Sequence, residues 1–241
     1  MKQSTTEGRD QRPKRQPRPA RATQDPRPLI TEIFHSLQGE TRTIGYPTAF
    51  IRFTGCPLRC AYCDTTYAFQ GGRRISLPQI LATIHPWQPR FVTVTGGEPL
   101  AQPACRPLIT RLCDAGYQVS LETSGALDIA LIDPRASIVM DLKTPGSGQE
   151  QSNHYPNLTR ISPNDQIKFV LCDRHDYQWA KAKIAQFHLL QQCEVLFLPV
   201  QGKQGFDLPP ADLADWILAD RLPVRMQIQL HKHLWGDAPG R

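Results

Sequence analysis

From Ala49 to Leu230, short β-rich runs alternate with stretches of helical period, and this alternation restricts the architecture more than any other property of the chain. The pattern predicts strands over Ala49–Thr54, Phe91–Thr95, Gln118–Glu122, Ile138–Leu142, Ile167–Leu171, Val195–Val200 and Arg225–Leu230. It predicts helices over Leu77–Ile84 behind the N-cap Ser76, Pro107–Ala115 ended by Gly116, His175–Phe187, and Ala211–Leu218 behind Pro209 and Pro210. Several of the strands are nearly continuous apolar runs, the pattern of a parallel sheet covered on both faces. Strand then helix, repeated, predicts a parallel α/β fold. The repeats fall short of the eight that close a barrel, so the expected fold is an open, partial parallel β/α barrel. Thr144–Asn164, rich in Pro, Gly, Ser and Asn, reads as a long loop.

Charge is distributed unevenly. The chain carries 28 Lys and Arg against 22 Asp and Glu; residues 1–28 hold eight of the basic and three of the acidic ones, leaving 20 and 19 beyond Pro28. The remainder is nearly neutral, which argues against a nucleic-acid face on the folded part. The first 28 residues are rich in proline and poor in apolar groups, so they are expected to stay disordered, with residues 29–241 forming one domain. No run approaches the roughly 20 apolar residues of a membrane helix. Nor is there an apolar secretory core, and the cytoplasm is the expected location.

Cys56, Cys60 and Cys63 stand in Gly-Cys-Pro-Leu-Arg-Cys-Ala-Tyr-Cys-Asp, a Cys-x3-Cys-x2-Cys spacing just after the first apolar strand. Thiolates are soft donors that select iron–sulfur clusters, zinc or Cu(I). Three within eight residues can wrap the corners of a cubane. Electron-transfer clusters and structural zinc sites close with four protein ligands, whereas three leave one metal position open to a substrate or cofactor. A zinc-binding loop is the alternative. Cys105, Cys113, Cys172 and Cys193 show no ligand spacing and read as ordinary buried cysteines. An odd cysteine count disfavours a disulfide framework.

A second motif, Thr95-Gly96-Gly97-Glu98-Pro99, follows the next strand. Paired glycines let backbone approach a ligand closely. With Tyr62 before the last cysteine, the two motifs in this order resemble the radical S-adenosylmethionine (SAM) superfamily. The resemblance implies a [4Fe-4S] cluster on Cys56, Cys60 and Cys63, whose fourth iron is chelated by SAM. An electron from the cluster then cleaves SAM to a 5'-deoxyadenosyl radical. It further implies SAM contacts from Tyr62, Cys63, Asp64 and Gly97, and from the later strand ends at Glu122, Ser124, Asp141, Leu142 and Lys143.

The segment Ile33-Phe34-His35-Ser36-Leu37-Gln38-Gly39-Glu40, then Ala49-Phe50-Ile51-Arg52-Phe53 and Cys63-Asp64-Thr65, is similar to the 7-carboxy-7-deazaguanine synthase family of the queuosine pathway. That similarity covers Leu29 to His233. It implies a small pterin substrate, 6-carboxytetrahydropterin, whose ring contracts with loss of ammonia. The implied substrate contacts are Leu37, Gln38, Gly39, Glu40, Arg52, Thr95 and His231, with Thr65 on Mg²⁺. It also implies a homodimer and a reductant protein such as flavodoxin. Asp141-Leu142-Lys143 stands where many members carry Ser-Pro-Lys, and the members' C-terminal substrate contact has no clear counterpart in Gly236–Arg241. A glycyl-radical activase shares the triplet and is the competing reading; the Leu-Gln-Gly-Glu, Arg52 and Cys-Asp-Thr set is harder to reconcile with it.

Overall fold

In most strands of the sheet, alternate side chains go to opposite surroundings. Ile51, Val92, Val94, Val119, Leu121, Ile138, Met140, Ile167, Phe169, Val195 and Phe197 are buried in an apolar layer under the helices. The residues between them include Arg52, Thr95, Glu122, Asp141 and Lys168, which line a cavity. The period of two is that of any strand, and here it separates a helix-covered outer face from a polar inner one.

The computed structural model describes residues 26–202, 205–236, 238 and 240. The basic stretch as far as Asp25, and with it the expected disordered tail, lies outside the described residues. The elements are β1 (Leu29–Leu37), β2 (Pro47–Phe53), β3 (Arg73–Arg74), α1 (Leu77–Ile84), β4 (Phe91–Gly96), α2 (Cys105–Asp114), β5 (Gln118–Thr123) and β6 (Ser137–Asp141). They continue with β7 (Gln166–Leu171), α3 (Arg174–Gln186), α4 (Leu189–Gln192), β8 (Glu194–Pro199), β9 (Gln201–Gly202), β10 (Gly205–Phe206), α5 (Pro210–Ala219), β11 (Arg225–Met226) and α6 (Leu230–Trp235).

Nine strands form one sheet in the order β11-β8-β7-β6-β5-β4-β2-β1-β3. From β11 to β2 every neighbouring pair is parallel. β1 adds antiparallel to β2, and β3 antiparallel to β1. The end strands β11 and β3 do not meet, so the barrel is open, as the missing repeats predict. Helix α1 sets Leu77, Ile80 and Ile84 on one buried face, and α2 does the same with Cys105, Leu108, Ile109 and Leu112. Each such fully buried leucine or isoleucine stabilises the layer by about 1.5–3 kcal/mol. Ser76 heads α1 as predicted, its backbone N–H donating to Gln79 Oε1 at 3.1 Å.

Three expectations need correction. The run Leu29–Leu37 is a strand, missed because its polar Thr31, Glu32, His35 and Ser36 suit a one-sided antiparallel strand rather than a covered parallel one. The predicted strand Arg225–Leu230 stops at Met226; Leu230 N–H turns to Gly39 O (3.0 Å) and α6 begins there. The continuous apolar runs do not mean two apolar coverings, because the inner face is lined by polar groups. The expected loop Thr144–Asn164 contains three short 3-10 turns and is tied down by buried Asn153, which brackets the Lys143 backbone at 2.9 and 2.8 Å.

Candidate active site

A parallel sheet sends the loops that follow its strands to one end, and ligands of such folds bind there. In this chain the Cys56–Cys63 loop follows β2, the Gly96–Glu98 turn follows β4, Ser124 follows β5, and Lys143 follows β6. All four contribute to one cavity of about 220 Å³.

The cysteine loop is anchored at several points. Gly55 N–H donates to Ala68 O (2.7 Å) and Ala61 N–H to Ser147 O (3.0 Å). Arg59 Nη1 donates to the Cys56 and Leu58 carbonyls at 2.8 and 2.7 Å, and its guanidinium lies 4.2 Å above the Phe69 ring. The Gly-Gly turn presses against this loop: a Cβ on Gly97 would lie 2.3 Å from Gly55 O and 2.9 Å from Cys56 Cβ. Gly96, at φ +150°, would meet Phe53 O at 2.4 Å. The second motif is thus a glycine pair by steric need.

Glu98 fixes the turn to the next strand. Its buried carboxylate accepts from Thr123 Oγ1 at 2.9 and 3.0 Å, Ser124 N–H at 2.8 Å, Leu100 N–H at 3.0 Å and the Ser124 hydroxyl. Ser124, expected at SAM, therefore lines the cavity with its proton already given to Glu98.

All seven cysteines are free. Burial pushes the thiol pKa values of Cys56, Cys60 and Cys63 up, with nearby Lys143 pulling against it. No three His, Cys, Asp or Glu side chains among the described residues gather as one metal ion requires. Three thiols spread along one rigid loop fit the corners of a cubane better than a single zinc. The cavity also holds buried polar atoms with no partner among the described residues, Tyr62 Oη and Asp141 Oδ1, which fits a bound polar ligand beside the cysteines. The other Asp141 oxygen, Oδ2, accepts from Lys143 Nζ at 2.8 Å.

Farther from the cysteines the wall is a polar network. Gln38 Nε2 donates to Thr93 Oγ1 (3.1 Å) and Glu122 Oε1 (3.2 Å), while Thr95 Oγ1 donates to Glu122 Oε2 (3.0 Å). Arg52 Nε donates to Glu32 Oε1 at 2.7 Å, and its two Nη atoms have no hydrogen-bond partner among the described residues. Glu40 accepts from Lys168 Nζ at 2.7 Å and Gln229 Nε2 at 2.8 Å. Burial would raise the Glu40 pKa, but Lys168, His231 and Gln229 together outweigh it and the carboxyl ends below its ordinary value. Gln229 also reaches Asp64 Oδ2 (3.1 Å), whose Oδ1 accepts from Thr65 Oγ1 (2.8 Å). Burial alone would raise the Asp64 pKa as well; Lys232 at 3.3 Å and the Thr65 and Gln229 donors bring it well below the carboxylate range. His231 stands on α6, not at a strand end, and its ring fills the place a Cβ on Gly39 would take, with Nδ1 2.0 Å from that position.

Of the residues singled out in the sequence, one is misplaced. Leu142 is buried in the outer core with Ile138 and Met140 and does not line the cavity, because it follows Asp141 and so points the other way. The others line the cavity: Leu37, Gln38, Gly39, Glu40, Arg52, the three cysteines, Tyr62, Asp64, Thr65, Thr95, Gly97, Glu122, Ser124, Asp141, Lys143 and His231. Lys168, Gln229 and Lys232 also line it and were not singled out. Lys168 carried a readable signal, a lone cation inside the apolar run Gln166–Leu171; Gln229 and Lys232 carried none. Of the four cysteines expected to be buried, only Cys105 is fully so.

Residues 50–188 match the radical SAM superfamily. The 7-carboxy-7-deazaguanine synthase of Chlorobaculum tepidum is 43% identical, over 88% of this chain and 96% of its own length. That of Koribacter versatilis is 41% identical, over 86% and 96%. The crystal structure of QueE from Escherichia coli superposes with a TM-score of 0.68 at 23% identity, covering 85% of this chain and 95% of its own, which speaks for the fold. No helix among the described residues is long and apolar enough to cross a membrane. Cluster loop, glycine turn, open parallel sheet and these relatives agree: the chain belongs to the 7-carboxy-7-deazaguanine synthase family of the radical SAM superfamily.

Proposed function

We propose that the chain converts 6-carboxy-5,6,7,8-tetrahydropterin to 7-carboxy-7-deazaguanine with loss of ammonia. The observation that carries this reading is one cavity in which the Cys56–Cys63 loop and the Gly96–Gly97 turn face the Gln38, Arg52, Glu122 and His231 wall. Superfamily membership brings the [4Fe-4S] cluster and SAM. When bound, these supply a 5'-deoxyadenosyl radical, and Mg²⁺ would supply a Lewis acid and template for the substrate carboxylate.

The residues divide by position. Cys56, Cys60 and Cys63 would hold the cluster through their thiolates. Gly97 has its N–H committed to Phe53 O at 3.1 Å, leaving its carbonyl for the amino group of SAM. Asp141 Oδ1 and the Tyr62 hydroxyl, both without partners among the described residues, and Lys143 beside them make the remaining SAM contacts with Asp64, Glu122 and Ser124. On the substrate side, the free Nη pair of Arg52 suits a carboxylate, whose two oxygens match a guanidinium fork. Leu37, Gln38, Gly39, Glu40, Thr95 and His231 surround the ring. Thr65 gives its proton to Asp64, so its oxygen lone pairs are free for Mg²⁺, a hard cation satisfied by few protein oxygens. The homodimer and a flavodoxin-type reductant rest on the family resemblance; seven unpaired cysteines suit a reducing compartment such as the cytoplasm.

The test is anaerobic reconstitution of the cluster, then SAM, a low-potential reductant, Mg²⁺ and carboxytetrahydropterin, with the deazaguanine read by mass. Product formation is expected. Competent SAM cleavage without product would overturn the substrate and leave the superfamily assignment standing.

A further inference from the structure

Lys168 belongs to none of the motifs that carry the family resemblance, yet its ammonium is inside the cavity. It sits in the middle of β7, whose alternate residues Ile167, Phe169 and Leu171 fill the outer core. The sheet needs no charge at that place, and burying an ammonium is costly unless it is paired. Its Nζ lies 2.7 Å from Glu40 Oε2, and the two side chains are only 12% and 11% exposed. Gln229 holds the other oxygen of Glu40. Each carboxylate oxygen thus has one protein donor and keeps a lone pair for a ligand.

The charged neighbours leave Lys168 a single task. His231 from α6 faces Glu40, while Asp141 from β6 and Glu122 from β5 face Lys168. Asp141 is matched by Lys143 at 2.8 Å, and Glu122 is held by the uncharged donors Gln38 and Thr95. Lys168 is the only cation in hydrogen-bond contact with Glu40 among the described residues.

We propose that Lys168 is a positioning residue that keeps Glu40 ionised and aimed into the cavity, so that Glu40 takes an N–H donor of the substrate as a carboxylate. The proposal rests on the reading that Glu40 meets the pterin. Without the ammonium, burial acts on Glu40 against only the Gln229 donor and nearby His231, and the acid becomes neutral as pH falls through its raised pKa.

The experiment compares reconstituted Lys168→Met, Lys168→Arg and Glu40→Gln with the wild type, measuring KM and kcat for carboxytetrahydropterin from about pH 6 to about pH 9, a span that brackets a raised carboxyl pKa. In Lys168→Met, KM should climb about tenfold per unit of pH below the new pKa and approach wild type at the alkaline end. Lys168→Arg should restore the wild-type profile, and Glu40→Gln should show the raised KM at every pH. The ratio of variant to wild type cancels pH effects common to both. SAM affinity, measured by calorimetry, should be unchanged in all three. A parallel loss at every pH in Lys168→Met, or a wild-type KM in Glu40→Gln, would overturn the proposal. If Lys168→Met fails to fold, the other two variants still decide it: Lys168→Arg must keep substrate affinity and Glu40→Gln must lose it. Failure of the underlying reading looks different, because the wild type itself would then make no deazaguanine while cleaving SAM.

Discussion

On the outer face of β7, Ile167, Phe169 and Leu171 are fully buried under helices and meet other apolar groups. On the inner face of the same strand, Lys168 is almost as well shielded from water but meets Glu40, and Val170 lines the cavity beside it. Burial is similar on the two faces; what differs is how it is tolerated. Apolar side chains gain from leaving water, whereas charged ones stay only when each is paired. The inner face of this sheet therefore keeps matched sets: Lys143 with Asp141, Lys168 with Glu40, and Glu98 with its four donor groups. The outer face determines whether the chain folds, and the inner face what the fold can hold.

The largest effect should come from Cys60→Ala, which removes one corner of the cluster loop. All turnover should disappear while the thermal midpoint hardly moves, since Cys60 is half-buried and belongs to neither apolar core cluster; retained product formation would break the division between the faces. Phe169→Ala tests the opposite side. This ring packs edge-on to Trp179 and Phe197, so its loss should cost about 3–5 kcal/mol in denaturant unfolding, with kcat per folded molecule unchanged. Glu98→Gln lies between the two: it puts an amide among donors, should cost about 1–3 kcal/mol, and should weaken SAM binding because the glycine turn loses its tie to β5.

Acid titration separates the faces without a mutation. Glu40 has a pKa below its ordinary 4.5, so its contribution to stability is present above that value and is lost as pH falls through the lower, folded value. Lys168→Met should remove this acid-side slope, whereas Phe169→Ala should shift the whole stability curve without altering it. The smallest change in stability is expected from Thr65→Val, within about 0.5 kcal/mol as for other side chains outside the core. It should nonetheless raise the Mg²⁺ concentration needed for half-maximal activity, measured by metal titration.

How much of this was legible in the chain follows from the range of each interaction. The cysteine loop and the Gly96–Gly97 turn are local, a few consecutive residues whose spacing is their geometry, and reading them led directly to the cavity. The strands β4 to β8 announced themselves as apolar runs because their outer faces feed a core. β1 was hidden, since an antiparallel strand with one polar side mixes apolar and polar groups and imitates a loop. The strand predicted through Leu230 ran too far because the apolar pattern does not record that Leu230 N–H bonds Gly39 O and starts a helix. Leu142 was assigned to the cavity by adjacency to Asp141, and the strand period sent it outward.

By itself the sequence determined the open parallel α/β plan, the three thiols on one short loop and the glycine turn that follows β4, because each depends on residues near one another in the chain. Only the tertiary structure decided which carboxylate each cation serves. Lys168 and Glu40 are 128 positions apart, and Gln229 joins Glu40 to Asp64 across 189 and 165. Pairings over such separations leave no periodic trace: they arise when the strands curve round a common cavity and the burial of each charge requires an opposite one within reach.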